Sequence, residues 1–177
     1  CSSTKIITVN PLPIISGVST LCIGSDAQLG VDSAPSVTNP WASSNTSIAT
    51  VNSSGTIFGI SAGTVTFTFT NINGCTSTKT VEITPCIDAV DDSFGITPGF
   101  TGTTSVLNND FYNTQTPVNL SAVILTQIST TYSGVQLDPT TGLISVTATT
   151  PNGIYYITYQ ICSLQYPGYC DTATVKI

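Results

Sequence analysis

An all-β chain of two tandem antiparallel β-sandwiches, with essentially no helix, is the fold class this sequence predicts. Three observations carry that expectation. First, apolar and hydroxyl residues alternate over whole segments: in Gly63-Thr-Val-Thr-Phe-Thr-Phe-Thr70, Val65, Phe67 and Phe69 share one face and four Thr the other. Second, Ser and Thr make up 53 of the 177 residues, and β-branched Thr suits a pleated surface because it is stiff at χ1. Third, the opening run Cys1-Ser-Ser-Thr-Lys-Ile-Ile-Thr-Val-Asn-Pro11 returns 74 positions later as Cys75-Thr-Ser-Thr-Lys-Thr-Val-Glu-Ile-Thr-Pro85. Self-similarity at a fixed period marks a repeat array, and a period this long calls for a small domain with its own core.

The elements follow in order. Residues 1–10 read as the final strand of a preceding repeat, and Pro11-Leu-Pro13 as a short stiff junction, because Pro fixes φ and removes a ladder donor. The first complete unit is expected over 11–85, with turns at Asn52-Ser-Ser-Gly55 and Asn71-Ile-Asn-Gly74. Its last strand sets Lys79, Val81 and Ile83 against Thr80 and Glu82. The second unit is expected over 86–177. There Asp138-Pro-Thr-Thr-Gly142 is a turn before a strand at 143–146. Tyr155, Ile157, Tyr159 and Ile161 face one way, and the closing strand turns Ala173, Val175 and Ile177 inward. Units of this size, with seven or so short strands, fit a sandwich of immunoglobulin type.

Composition excludes several functions. Charged residues are 7% of the chain, with three Lys, no Arg, no His and a net charge of −6. Nucleic-acid binding needs clustered Lys and Arg, which are missing. Mean hydropathy is +0.30, yet no run of 18 apolar residues exists, so no membrane insertion is expected. The opening has no basic and apolar leader, so the sequence reads as a mature or excised segment. Without His, no Ser/His or Cys/His arrangement can form, and Glu82 is the only Glu. No catalytic residue and no enzyme activity are expected.

Cysteines lie at 1, 22, 75, 86, 162 and 170. Their spacing matches no zinc site, so disulfides in an oxidising, extracytoplasmic setting are expected. Cys162 and Cys170 flank a turn between two strands, where a bond staples a hairpin. Cys22 and Cys75 are expected to join early and late parts of the first unit. The repeat alignment puts the partner of Cys1 upstream. For Cys86, a free thiol, a bond within the second unit and an intermolecular link all stay open.

Three segments carry a family resemblance: Trp41-Ala-Ser-Ser-Asn-Thr-Ser-Ile-Ala-Thr-Val51, Ser54-Gly55-Thr-Ile-Phe-Gly-Ile60 and Ala62-Gly-Thr-Val-Thr-Phe67. In this order they resemble the bacterial Ig-like group 2 domain, which implies a sandwich anchored by Trp41. The second unit, through Ala89-Val-Asp-Asp-Ser93, Val106-Leu-Asn-Asn-Asp110 and Cys170-Asp-Thr-Ala-Thr-Val175, resembles extracellular bacterial Ig/cadherin-like repeats of large Bacteroidota surface adhesins, gliding-motility adhesins among them. The resemblance implies a cell-surface location and a spacer role in a stalk or filament. It also implies neighbouring repeats, surface glycans or other cell-surface proteins as partners. Two further readings compete: a ligand- or glycan-binding module, and an accessory region of a secreted enzyme.

Candidate sites are few. Asp91, Asp92, Asn108 and Asp110 offer oxygens for calcium, which cadherin-like relatives hold near the domain entrance; the competing reading is that Asp and Asn cap turns. No other cofactor is expected. Ser33 in Asp32-Ser33-Ala34 and Thr172 in Asp171-Thr172-Ala173 resemble the Asp-Ser/Thr-apolar motif that Bacteroidota O-glycosylate. Tyr166 and Tyr169 form an aromatic tip that is either a contact patch or incidental exposure.

Overall fold

The structure, a computed structural model, describes Thr4 and residues 9–177. The strand expected over 1–10, with Cys1 and Lys5, thus lies almost wholly outside the described residues. The chain divides into two compact units, Cys1–Thr84 and Pro85–Ile177.

In the first unit the strands are β1 (Ile15–Ser16), β2 (Thr20–Cys22), β3 (Asp26–Gln28), β4 (Gly30–Val31), β5 (Trp41–Ser43), β6 (Ala49–Val51), β7 (Thr56–Gly59), β8 (Gly63–Thr70) and β9 (Thr76–Thr84). One sheet has the order β2-β9-β8-β5 and faces β3-β7-β6, with β1-β4 as a short ribbon. The alternation of β8 dictates its burial: Val65, Phe67 and Phe69 are wholly buried while the Thr side chains face out. The outer face of β8 and β9 carries Thr pairs in register, Thr66↔Thr80, Thr68↔Thr78 and Thr70↔Thr76. Trp41 packs into the core with its ring centroid 4.9 Å from that of Phe69. Gly55 turns the β6–β7 hairpin at φ 89°, and a Cβ there would meet Leu29 O at 2.8 Å and Trp41 Nε1 at 3.0 Å.

In the second unit the strands are β10 (Ile87–Asp88), β11 (Asp92–Ser93), β12 (Phe111–Tyr112), β13 (Val123–Thr130), β14 (Val135–Leu137), β15 (Ile144–Val146), β16 (Tyr156–Ser163) and β17 (Cys170–Lys176). The main sheet runs β11-β17-β16-β13, with ribbons β14-β15 and β10-β12. Ile157, Tyr159 and Ile161 of β16 are all 0% exposed. Among the described residues the sole helical element is a single 3-10 turn, Val106–Asn108. The turn at 138–142 closes with Gly142 N–H donating to Asp138 O at 2.8 Å. Gly142 holds φ 71° there.

One feature departs from a purely antiparallel reading. In each unit an early strand lies parallel to the last one: Thr20↔Glu82 through Cys22↔Thr84 in the first, Asp92↔Val175 and Ser93↔Lys176 in the second. A parallel partner runs the same way as the strand that leaves the unit. In the first unit Asn10 O lies 3.9 Å from Cys75 Sγ, at the start of β9. The chain therefore comes in beside the start of the closing strand and leaves at its far end. In the second unit Ala89 N–H donates to Asp171 Oδ2 at 2.9 Å, beside the start of β17. At about 3.3 Å per residue, the ends of each unit are separated by roughly 20–30 Å along the closing strand.

Candidate functional site

The acidic residues of the second unit meet around the segment 88–92. Ser105 Oγ caps the 3-10 turn by accepting from Leu107 N–H. Val106 and Leu107 bury themselves in the core, and the turn delivers Asp110 inward, where it is 0% exposed. Its carboxylate is met by protein donors. Val90 N–H donates to Oδ1 at 2.8 Å, and the Tyr159 hydroxyl sits 2.9 Å from Oδ1 and 3.0 Å from Oδ2. Asn109 Nδ2 donates to the carbonyls of Val90 at 3.4 Å and Asp91 at 3.3 Å. Asp91 turns the other way and accepts from Thr174 N–H at 2.7 Å. Asp92 Oδ2 is buried without a hydrogen-bond partner.

Burial governs the charges here. Asp92 is pushed up to about 7, first by desolvation and then by the charge of Asp110. Burial likewise pushes Asp110 up to about 6, against the hydrogen bonds from Val90 and Tyr159 that favour its ionised form. Burial also raises the Tyr159 phenol, with the Asp110 charge adding to it. A buried phenol next to a carboxylate stays protonated and donates.

The four candidate calcium ligands have different surroundings. Calcium takes six to eight oxygens with lone pairs turned towards the ion. Here Asp91 and Asp92 diverge along the strand, Asp110 is spent on Tyr159 and Val90, and Asn108 lies exposed. Among the described residues no three His, Cys, Asp or Glu side chains are grouped to hold a metal ion.

The cysteines require one correction. Cys162 and Cys170 are bonded, staple β16 to β17, and stand directly opposite in the ladder. Cys75, however, is a free, half-buried thiol, whereas Cys22 and Cys86 are both disulfide-bonded. The expected Cys22–Cys75 bond fails on register. Cys22 pairs with Thr84 at the end of β9, while Cys75 precedes its start, about 30 Å away along the strand. No disulfide spans more than about 7 Å between Cα atoms. Replacing Cys75 by Ser is therefore expected to leave stability within about 0.5 kcal/mol of the parent. Cys162→Ala with Cys170→Ala is expected to cost about 2–3 kcal/mol, from a closed loop of this length. Urea titration of the two variants checks both.

The remaining candidates separate by exposure. Ser33 is half-buried, with its Oγ covered and without a hydrogen-bond partner. Thr172 stands exposed on the outer face of β17. Tyr166 and Tyr169 meet edge-on at the tip of the β16–β17 hairpin, centroids 6.5 Å apart, with Tyr169 38% exposed. Beside them Pro85, Cys86, Ile87, Gly168, Tyr169 and Cys170 line an open hollow of about 370 Å³. Sequence reasoning placed Tyr159 in the core but missed its part at the acidic node. The signal was present, since a Tyr on a strand face that is otherwise buried needs a partner for its hydroxyl.

Residues 13–83 match the family model described as bacterial Ig-like domain (group 2). No curated protein matches the chain. Among solved structures, an EHEC O157:H7 intimin mutant is 26% identical over 40% of this chain and 39% of its own, with a TM-score of 0.33. Intimin in its complex with Tir90 gives 26% identity, coverage of 40% of each chain and a TM-score of 0.32. Human protocadherin-24 EC1-2 is 13% identical over 94% of this chain and 97% of its own, at a TM-score of 0.35. This chain spans about two-fifths of the length of the intimin chains it matches. Its two units are all-β, and the first of them carries the bacterial Ig-like group 2 pattern over residues 13–83.

Proposed function

We propose that the chain is a spacer segment of a secreted bacterial surface adhesin, passing tension from one Ig-like unit to the next along a stalk or filament. The observation that carries this reading is the parallel pairing of an early strand with the last strand in each unit. A unit whose chain comes in at one end of its closing strand and leaves at the other is extended by repetition. Pulling on such ends loads the ladder in shear, so several hydrogen bonds share the force together. The Cys162–Cys170 staple lies within the loaded sheet. The exposed faces, rich in Thr and poor in charge, suit an extracellular surface carrying glycans, with Thr172 as the accessible acceptor. A place in gliding-motility machinery belongs to this same reading, and rests on the sequence resemblance alone.

Single-molecule stretching of the reduced full chain tests it. Two separate force peaks are expected, each releasing roughly 200–300 Å of chain. Extension without peaks overturns the spacer reading.

The Tyr tip supports a second reading. Tyr169 exposed beside a shallow hollow offers an apolar body with a polar edge, the chemistry that stacks on a sugar ring. Alanine at both Tyr166 and Tyr169 distinguishes the two: a spacer keeps full adhesion of the parent protein, and a binding module loses it.

A further inference from the structure

We propose that the entrance of the second unit is latched without metal, by a buried carboxylate–phenol pair, Asp110 and Tyr159, standing where a cation would otherwise tie the same segments together. Four pieces of chain converge on this node. The entrance segment contributes Ala89, Val90 and Asp91; the loop after the 3-10 turn contributes Asn109 and Asp110; β16 contributes Tyr159; β17 contributes Asp171 and Thr174. Each contact runs from a donor to an acceptor supplied by the protein. Ala89 N–H donates to Asp171 Oδ2 at 2.9 Å, Val90 N–H to Asp110 Oδ1 at 2.8 Å and Thr174 N–H to Asp91 Oδ1 at 2.7 Å. The Tyr159 hydroxyl closes the centre, 2.9 and 3.0 Å from the two Asp110 oxygens and 3.2 Å from Val90 O.

A cation site turns lone pairs inward and keeps N–H and O–H protons away. Here the N–H groups of Ala89, Val90 and Thr174 each point at a different carboxylate, Asp171, Asp110 and Asp91, and the phenol O–H at Asp110. These oxygens already face donated protons, and among the buried oxygens described at the node Asp92 Oδ2 alone is left without one. A carboxylate buried to 0% exposure is tolerated when charge-assisted donors replace its water. The donors around Asp110 offset part of the cost of its burial, which still outweighs them. They also explain why a loop residue and a strand tyrosine 49 positions apart fix the backbone of the entrance segment. The latch requires nothing from the spacer reading and stands or falls separately from it.

Amide hydrogen exchange on the intact chain tests it, with the amides of Ala89, Val90 and Thr174 as reporters. In the parent protein their protection is expected to stay within twofold between EDTA and saturating CaCl2. Tyr159→Phe, which deletes one hydroxyl and keeps the ring in the core, is expected to speed exchange at Ala89 and Val90 at least tenfold. Reporters slowed tenfold by CaCl2 would overturn the proposal in favour of a cation site. Unchanged protection in Tyr159→Phe would overturn it too, by showing the pair to be a bystander. Should that variant unfold, the two metal arms on the parent protein still decide.

Discussion

Trp41→Ala is expected to destabilise the first unit by about 3–5 kcal/mol, the range for emptying a large buried aromatic site. Trp41 is 8% exposed and supplies the end wall of a core otherwise built from Phe67, Phe69, Ile57 and Val81. Two features keep the cavity from collapsing. The ring lies 4.9 Å from Phe69, itself fixed on the longest hairpin of the unit by eight paired positions with β9. On the opposite side, Gly55 brings the β6–β7 turn up to the indole nitrogen, and at φ 89° that turn has no easy alternative conformation. A small domain has roughly 5–10 kcal/mol of total stability, so the variant should lose about half of it and unfold at a clearly lower urea concentration. Urea unfolding read by loss of β-sheet circular dichroism checks this; a cost below about 1 kcal/mol would show that Trp41 covers the core without forming part of it.

The sheets were legible because their causes are local. Alternation in 63–70 and 155–161 reads directly as buried and exposed faces, and the structure buries Phe67, Phe69, Ile157 and Tyr159 completely. Turn chemistry at Asn52–Gly55, Asn71–Gly74 and Asp138–Gly142 was likewise local. Asn52, Asn71 and Asp138 each accept backbone N–H bonds from residues two to four positions on. Long-range register was not legible. The pairing of Cys22 with Cys75 assumed that early and late parts of one unit meet at the same end, whereas the parallel ladder places Cys22 beside Thr84. Nothing in the spacing of two cysteines distinguishes a parallel first strand from an antiparallel one. The acidic node failed in a related way. Asp91, Asp92 and Asp110 were recognised as neighbours, but whether oxygens or protons face its centre depends on Tyr159, on a strand far along the chain.

Function is legible to the same depth. In each unit an early strand runs parallel to the last one, which sets the two ends of the unit at opposite ends of its closing strand. These are properties of the backbone and survive any choice of surface residues. At the tip of the β16–β17 hairpin, Tyr166 is half-buried and Tyr169 exposed, their rings meeting edge-on.

The second unit is expected to become less stable as pH rises from about 4 to about 7, the reverse of the usual acid denaturation. Burial lifts Asp92 to about 7 and Asp110 to about 6 in the folded unit, while both titrate near 4 once unfolded. Between those values the folded state holds more protons than the unfolded one, so each step up in pH favours unfolding. The stability these groups contribute is complete below pH 4 and lost as pH passes about 7. Because Asp92 is only half-buried and solvent screens its charge, the combined loss is about 2–4 kcal/mol, below the full linkage value. Asp138 works in the opposite sense, since hydrogen bonds from Thr140 hold its carboxyl below the usual range, but its influence is confined to pH below about 4. The charges of Asp110 and Asp91 add to the burial of Asp92, against hydrogen bonds from Tyr159 and Asn109. Asp92→Asn removes one of the two charges and gives the orphaned Oδ2 position an amide. That variant should be more stable than the parent at pH 7.5 by about 1–2 kcal/mol and should flatten the profile. Thermal unfolding of both proteins from pH 4 to pH 8 in EDTA measures it. A parent profile that climbs with pH, or an Asp92→Asn protein that melts below the parent at pH 7.5, would show that the node holds its charge comfortably.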